Sequence, residues 1–116
     1  MQCIIYRVRG YYMKIQLKKG LLDFCVLAAL IEEDGYGYKL IQDTKDIVEM
    51  SESTLYPILR RLEESEQLVS YTKEHNGRLR KYYKITVKGK KAIEDFLTEW
   101  GDMKRIYDFI MGKTRK

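Results

Sequence analysis

The sequence predicts a mainly α chain with one small β-hairpin (α+β), and three observations carry that expectation. Stretches near residues 17–33, 37–46 and 53–65 have the apolar content and punctuation of helices. Between Leu68 and Ile85 the period falls to two around an Asn-Gly pair, the pattern of a tight hairpin. From Thr86 onward an apolar series with heptad spacing runs almost to the end, as in a long helix that pairs lengthwise.

A length of 116 residues suits one domain with an appended arm. With 45% hydrophobic and 34% charged residues, the chain is neither disordered nor collagen-like. Met1 to Tyr12 is basic and aromatic without helical period, while Met13-Lys14-Ile15 is a second possible start. Residues 1–12 are therefore either a strand-like arm or an artefact of cloning or start-site choice. Leu21 to Ile31 is apolar nearly all round, which predicts a buried helix over 17–33 stopped by the turn signal Asp34-Gly35. This run carries Asp23 and is shorter than the roughly 20 residues that a bilayer requires. With no secretory signal at the N-terminus, the expected location is the cytoplasm, away from membranes.

A short helix follows over 37–46, with Tyr38, Leu40 and Ile41 expected to face inward; Ile47 to Met50 form a connector. Leu55, Ile58, Leu59 and Leu62 then recur at three- and four-residue spacing, making 53–65 an amphipathic helix. Ser51 and Ser53 are both good caps. Pro57 favours Ser53, because a later start keeps the proline in the first turn, where its missing N–H costs least. Leu68–Lys73 and Arg80–Ile85 are the expected strands, joined by the turn His75-Asn76-Gly77-Arg78; alternation separates Lys81, Tyr83 and Ile85 from Arg80, Tyr82 and Lys84. Thr86 caps the last helix, which should reach about Met111. Its residues Ile93, Phe96, Trp100, Met103, Tyr107 and Ile110 form the seam. No later element covers that seam, so a second copy is the expected cover, making a homodimer. Gly101 within it costs about 1 kcal/mol in helix propensity relative to alanine.

Charge is segregated along the chain. Residues 1–20 hold five bases and no acid, residues 21–70 four bases against eleven acids, and residues 71–116 thirteen bases against six acids. The densest basic run, Lys73 to Lys91, contains Glu74 as its only acid. It falls on the hairpin and the start of the last helix. A hydroxyl-headed helix followed by a basic hairpin is the winged helix-turn-helix order, in which the third helix enters a major groove and the wing meets the backbone. On this reading residues 1–12 are an extension, 13–85 the winged helix-turn-helix DNA-binding domain, and 86–116 a C-terminal dimerisation helix with a basic tail.

Nothing points to an enzyme. The sequence shows no nucleophile–base pair, phosphate loop or Cys-x-x-Cys. His75 stands alone in a turn, Cys25 lies inside the apolar run, and Cys3 is near the terminus. No metal and no cofactor are expected. The competing class is a protein-interaction module whose winged fold no longer reads DNA, against which the basic wing and the hydroxyl-headed helix both argue.

Three stretches in order, Tyr36-Gly37-Tyr38-Lys39-Leu40, Ser53-Thr54-Leu55-Tyr56-Pro57-Ile58-Leu59-Arg60-Arg61-Leu62-Glu63-Glu64 and Arg80-Lys81-Tyr82-Tyr83-Lys84-Ile85-Thr86-x-x-Gly89, together resemble the PadR family of transcriptional regulators. The likeness extends from Lys14 to Ile93, and the single last helix is similar to that of the family's short subgroup. The resemblance implies that Ser53, Thr54 and Tyr56 head the recognition helix at a palindromic double-stranded operator. A plain cap is the alternative for Ser53, and packing under the wing is the alternative for Tyr56. Arg60 is the preferred DNA-facing member of the Arg60-Arg61 pair, with Arg61 left to solvent or an acid such as Glu64. Lys19 and Lys39 would clamp phosphates, and Lys73, Arg78 and Arg80 would carry the wing contacts. Tyr82 and Tyr83 are expected to pack. The Phe96-x-x-x-Trp100 segment is similar to that of multidrug-sensing members, implying a small-molecule effector stacked at Phe96 and Trp100; the alternative is that Trp100 packs the dimer core. The implied regulator is a repressor released by that ligand.

Overall fold

In the computed structural model the described residues are 5–8 and 11–115 for the backbone and 20–115 for the side chains. Cys3, the side chain of Lys19 and the final Lys116 lie outside them. Ile5–Val8 (β1) and Tyr11–Lys14 (β2) pair antiparallel, with Ile5 opposite Lys14 and Val8 opposite Tyr11. The strand pair crosses the expected boundary at residue 12, since Met13 and Lys14 belong to β2, and β2 runs directly into the first helix, Ile15–Ala29 (α1). This helix ends four residues before the expected 33. Leu30 and Ile31 donate to Leu27 and Ala28, three residues back, at 3.1 and 3.2 Å, tightening the chain out of the α-helix.

Asp34-Gly35 is followed at once by a two-residue strand, Gly35–Tyr36 (β3), then by Gly37–Thr44 (α2) and Glu52–Glu64 (α3). Tyr38 does not face inward: it is 59% exposed, whereas Leu40 is buried and Ile41 half-buried. The inward face of α2 is Gly37, Leu40 and Thr44, and the Thr44 hydroxyl donates to the Leu40 carbonyl at 2.8 Å. In the connector, Val48 and Met50 enter the core.

The cap of α3 is Ser51, not Ser53. Ser51 is extended (φ −87°, ψ 167°), and its carbonyl accepts from Leu55 N–H at 3.0 Å. Pro57 therefore lies in the second turn and denies a partner to the carbonyl of Ser53. The helix tolerates this because Ser53 is exposed, where water can serve that carbonyl. The Ser51 hydroxyl is shared between those of Ser53 (2.8 Å) and Thr54 (3.3 Å), tying the head of α3 together through side chains.

Leu68–His75 (β4) and Arg78–Ile85 (β5) form the hairpin, each two residues longer than expected. Asn76 (φ 51°) and Gly77 (φ 79°) supply the two positive φ angles of a type I′ turn. β3 joins the far side of β5, so the sheet order is β3-β5-β4 with Tyr36 opposite Tyr82. Tyr83 and Ile85 point into the core with Leu22, Val26, Leu27, Leu30, Leu55, Leu59 and Leu68, while Tyr82 is buried on the sheet's other face against Tyr36 and Tyr71.

The last helix, Val87–Thr114 (α4), is capped by Thr86, whose Oγ1 accepts from Gly89 N–H at 3.1 Å and donates to the Glu66 carbonyl at 2.7 Å. Gly89 is required here, because a Cβ would run into the Gln67 carbonyl oxygen and lie 2.7 Å from Ile85 Cγ1. Twenty-eight residues make a rod about 42 Å long. Its first turns rest on the core through Ile93 and through Phe96, which stacks on Phe24 of α1 at 4.2 Å. From Leu97 onward it leaves the rest of the protomer, and Leu97, Trp100, Met103, Ile106, Tyr107, Phe109 and Ile110 stay 46–66% exposed. Ile93 and Phe96 thus pack first within their own chain. Leu97, Ile106 and Phe109 widen the apolar surface beyond the expected seam. Among the described residues no helix is long and apolar enough to cross a membrane.

Candidate nucleic-acid interface

The buried face of α3, Leu55, Ile58, Leu59 and Leu62, fixes which residues look outward: Ser53, Tyr56 and Arg60 are exposed and Thr54 is half-buried. Arg61 is exposed too but committed, its Nη2 donating to Asp23 of α1 at 2.7 Å. Its acid partner is therefore Asp23, not Glu64. Arg60, the preferred member, forms no salt bridge among the described residues, consistent with a cation left for an external anion.

Tyr56 reaches from α3 across to the start of α2. A Cβ on Gly37 would sit 2.5 Å from the Tyr56 hydroxyl, so only glycine lets the phenol lie there. Packing and exposure coexist in this residue, which is 42% exposed. Beyond it the wing rises, and a groove of about 330 Å³ opens between wing and helices, lined by Tyr36, Tyr38, Tyr56, Arg78, Arg80 and Lys81, with Glu52 as its one acid against three bases. Tyrosine hydroxyls and cations facing one groove suit a phosphate-rich ligand.

The wing cations differ in how they are held. Arg78 stands exposed at the tip, paired with His75 across the turn. Arg80 lies over the Tyr36 ring, Cζ to centroid 4.5 Å. Lys73 is 5.7 Å from the Tyr82 ring centre, a looser contact. Lys81 lies 3.7 Å from Glu63 and 5.5 Å from the Tyr83 ring. Tyr71 stacks on Tyr82 at 5.6 Å and donates to the Asp34 carboxylate at 2.6 Å, a bond that pushes its pKa up to about 12. Burial raises that of Tyr83.

Lys39 is placed differently from the phosphate-clamp expectation. Its ammonium is held by Asp43 at 2.7 Å and Glu33 at 2.8 Å, and these hydrogen bonds, Asp43 first, raise its pKa. It borders a hollow with Glu32, Glu33 and Asp43 in which acids outnumber bases, unsuited to a phosphate. Tyr36, Tyr38 and Lys81 enter the groove without having been singled out as contacts. The sequence signal for the tyrosines is the Tyr-Gly-Tyr at the start of α2.

On α4 a second hollow of about 520 Å³ is lined by Trp100, Met103, Lys104, Tyr107 and Asp108. Phe96 stacks on Trp100 at 6.1 Å, continuing the rings begun at Phe24. Lys104 and Asp108 pair at 2.9 Å across its edge. Among the described residues no group of His, Cys, Asp and Glu is arranged to hold a metal ion.

Residues 26–95 match the family model described as the transcriptional regulator PadR-like family. A protein of Streptococcus mutans UA159 of known structure is 42% identical, covering 79% of this chain and 87% of its own, with a TM-score of 0.72. A PadR-like transcriptional regulator from Bacillus cereus strain ATCC 14579 is 32% identical over 83% of this chain and 96% of its own, with a TM-score of 0.71. An uncharacterized protein of Lysinibacillus sphaericus is 36% identical over 80% of this chain and 90% of its own. The family match spans the end of α1, α2, α3, the wing and the first turns of the last helix. The chain belongs to the PadR-like family of transcriptional regulators and is a regulator, not an enzyme.

Proposed function

We propose that the chain works as a homodimer that binds a palindromic operator and represses transcription until a small planar or hydrophobic ligand enters the dimer interface. The observation that carries this reading is the pairing of a cationic wing and hydroxyl-headed α3 with a last helix whose apolar side chains stand in water. Residues 13–85 then form the DNA-reading unit and 86–116 the pairing unit.

Two copies joined along α4 would present two α3 helices to major grooves about one helical turn apart. Ser53, Thr54 and Tyr56 are assigned to sequence reading, Arg60 to the groove edge, and Lys73, Arg78 and Arg80 to phosphates. Lys39 is left out of this assignment because Asp43 and Glu33 already hold its ammonium. The hollow beside Trp100 is half of a slot that a partner helix would complete. Facing indoles suit a flat cation through stacking and cation–π attraction. A ligand there favours one separation of the two α3 helices over another, and so shifts the population able to bind DNA.

The test is a mobility-shift titration with DNA from upstream of the protein's own coding region, at several salt concentrations, alongside a scrambled duplex. A sequence-dependent shift that weakens with salt is expected. Equal affinity for both duplexes, or no shift, would leave a protein-interaction module. Titration with a planar cationic dye should quench Trp100 emission and release the DNA; unchanged emission at saturation makes Trp100 a packing residue.

A further inference from the structure

We infer that Tyr36 is a positioning residue for Arg80: its ring holds the guanidinium in the pose that meets the DNA backbone. The inference rests on the DNA-binding reading above and assigns a role to a residue outside the recognition helix and the basic run.

The placement follows from the sheet. Tyr36 pairs with Tyr82, and Arg80 precedes Tyr82 by two residues on the same face, diagonal to Tyr36. The Arg80 Cζ lies 4.5 Å from the Tyr36 ring centre. The ring is itself wedged, edge-on to Tyr82 at 5.4 Å and tilted against His75 at 5.6 Å. Behind Tyr82 stands Tyr71, tied to Asp34, which lies two residues before Tyr36. The platform under Arg80 is therefore locked from both sides.

What holds Arg80 is a ring and not a counter-ion. Lys39, Arg61 and Lys81 each face a carboxylate, whereas Arg80 forms no salt bridge among the described residues. Its Nε is enclosed without a hydrogen-bond partner. A planar guanidinium stacked on an aromatic face keeps its charge for an incoming phosphate while much of its rotamer freedom is already lost. Ordering a side chain before the ligand arrives lowers the entropy lost on binding. The stack thus raises affinity without adding a phosphate contact.

This separates a positioning role from a contacting one. Binding of the full-length chain to its upstream duplex is measured over a salt series for the native protein, Tyr36→Phe, Tyr36→Leu, Arg80→Ala, Arg80→Lys and the Tyr36→Leu/Arg80→Ala double variant. Tyr36→Leu should weaken binding about five- to tenfold with the salt slope unchanged, and Tyr36→Phe should stay within about twofold. Arg80→Ala should reduce the slope by about 0.9. In the Arg80→Ala background, Tyr36→Leu should add less than about twofold. Equal losses from Tyr36→Leu with and without Arg80, or a Tyr36→Phe as weak as Tyr36→Leu, overturn the inference. Should Tyr36→Leu fail to fold, Arg80→Lys decides: it keeps the charge without the planar stack, so a several-fold loss with unchanged slope supports the inference and native affinity overturns it. A native chain without salt-dependent DNA binding overturns the DNA reading itself, and the inference with it.

Discussion

Replacing Tyr107 by glutamate distinguishes a paired α4 from a solitary one. Tyr107 is 59% exposed and lies between Met103 (57%) and Ile110 (53%) on one side of the rod. Complete burial of a large apolar side chain stabilises by about 1.5–3 kcal/mol. Because over half of Tyr107 remains in water, pairing recovers about 1–1.5 kcal/mol from it. A two-fold dimer uses the residue twice, so the substitution removes about 2–3 kcal/mol, or about 30- to 150-fold in the dimer dissociation constant. Two carboxylates brought into one apolar seam deepen the loss. The protomer itself should keep its helix content, since Tyr107 lies beyond the turns of α4 that rest on the core. Sedimentation equilibrium over a concentration series reads the constant, with circular dichroism as the control for folding. A native chain that sediments as a single subunit, or a Tyr107→Glu variant that associates as tightly as the native protein, refutes the pairing of α4.

Three further outcomes follow from particular contacts. Gly89→Ala should destabilise the fold by about 1–3 kcal/mol in a denaturant titration, because the new methyl meets the Gln67 carbonyl and Ile85; an unchanged midpoint would mean that the start of α4 moves freely. Tyr71 should ionise near 12, read as the difference in tyrosinate absorbance between native protein and Tyr71→Phe. A raised pKa means that the folded state favours the protonated phenol, so its stabilising contribution is complete below the ordinary tyrosine value near 10 and disappears as pH rises through about 12. Asp34→Ala should return that titration toward 10. Thr54→Ala should change which duplexes are preferred while leaving the salt slope in place, measured by competition between operator variants; a uniform loss across sequences would make Thr54 structural.

The order of helices, the hairpin and its Asn-Gly turn were legible because each is written in local periodicity or in backbone requirements at single residues. Thr86 was legible for the same reason, whereas Gly89 entered only through the family motif, and its need is set by Gln67 and Ile85. What escaped was set by distant partners. β3 is two residues long and exists because β5 offers a free edge, which no window around Gly35 reveals. Ser51 caps α3 despite the proline because the exposed Ser53 carbonyl needs no protein partner. Lys39 reads as a clamp until Glu33, from the loop before β3, is folded against it. On α4 a strict heptad count finds Trp100 and Tyr107 but passes over Ile106 and Phe109, which flank the seam and remain bare.

Consecutive residues of α1 grip two different helices: Asp23 holds Arg61 on α3, and Phe24 lies face to face with Phe96 on α4. The side chain that meets α3 and the one that seats α4 therefore flank a single peptide unit. Movement of α4 against α1 would disturb the Phe24–Phe96 stack immediately beside the carboxylate that pairs with Arg61.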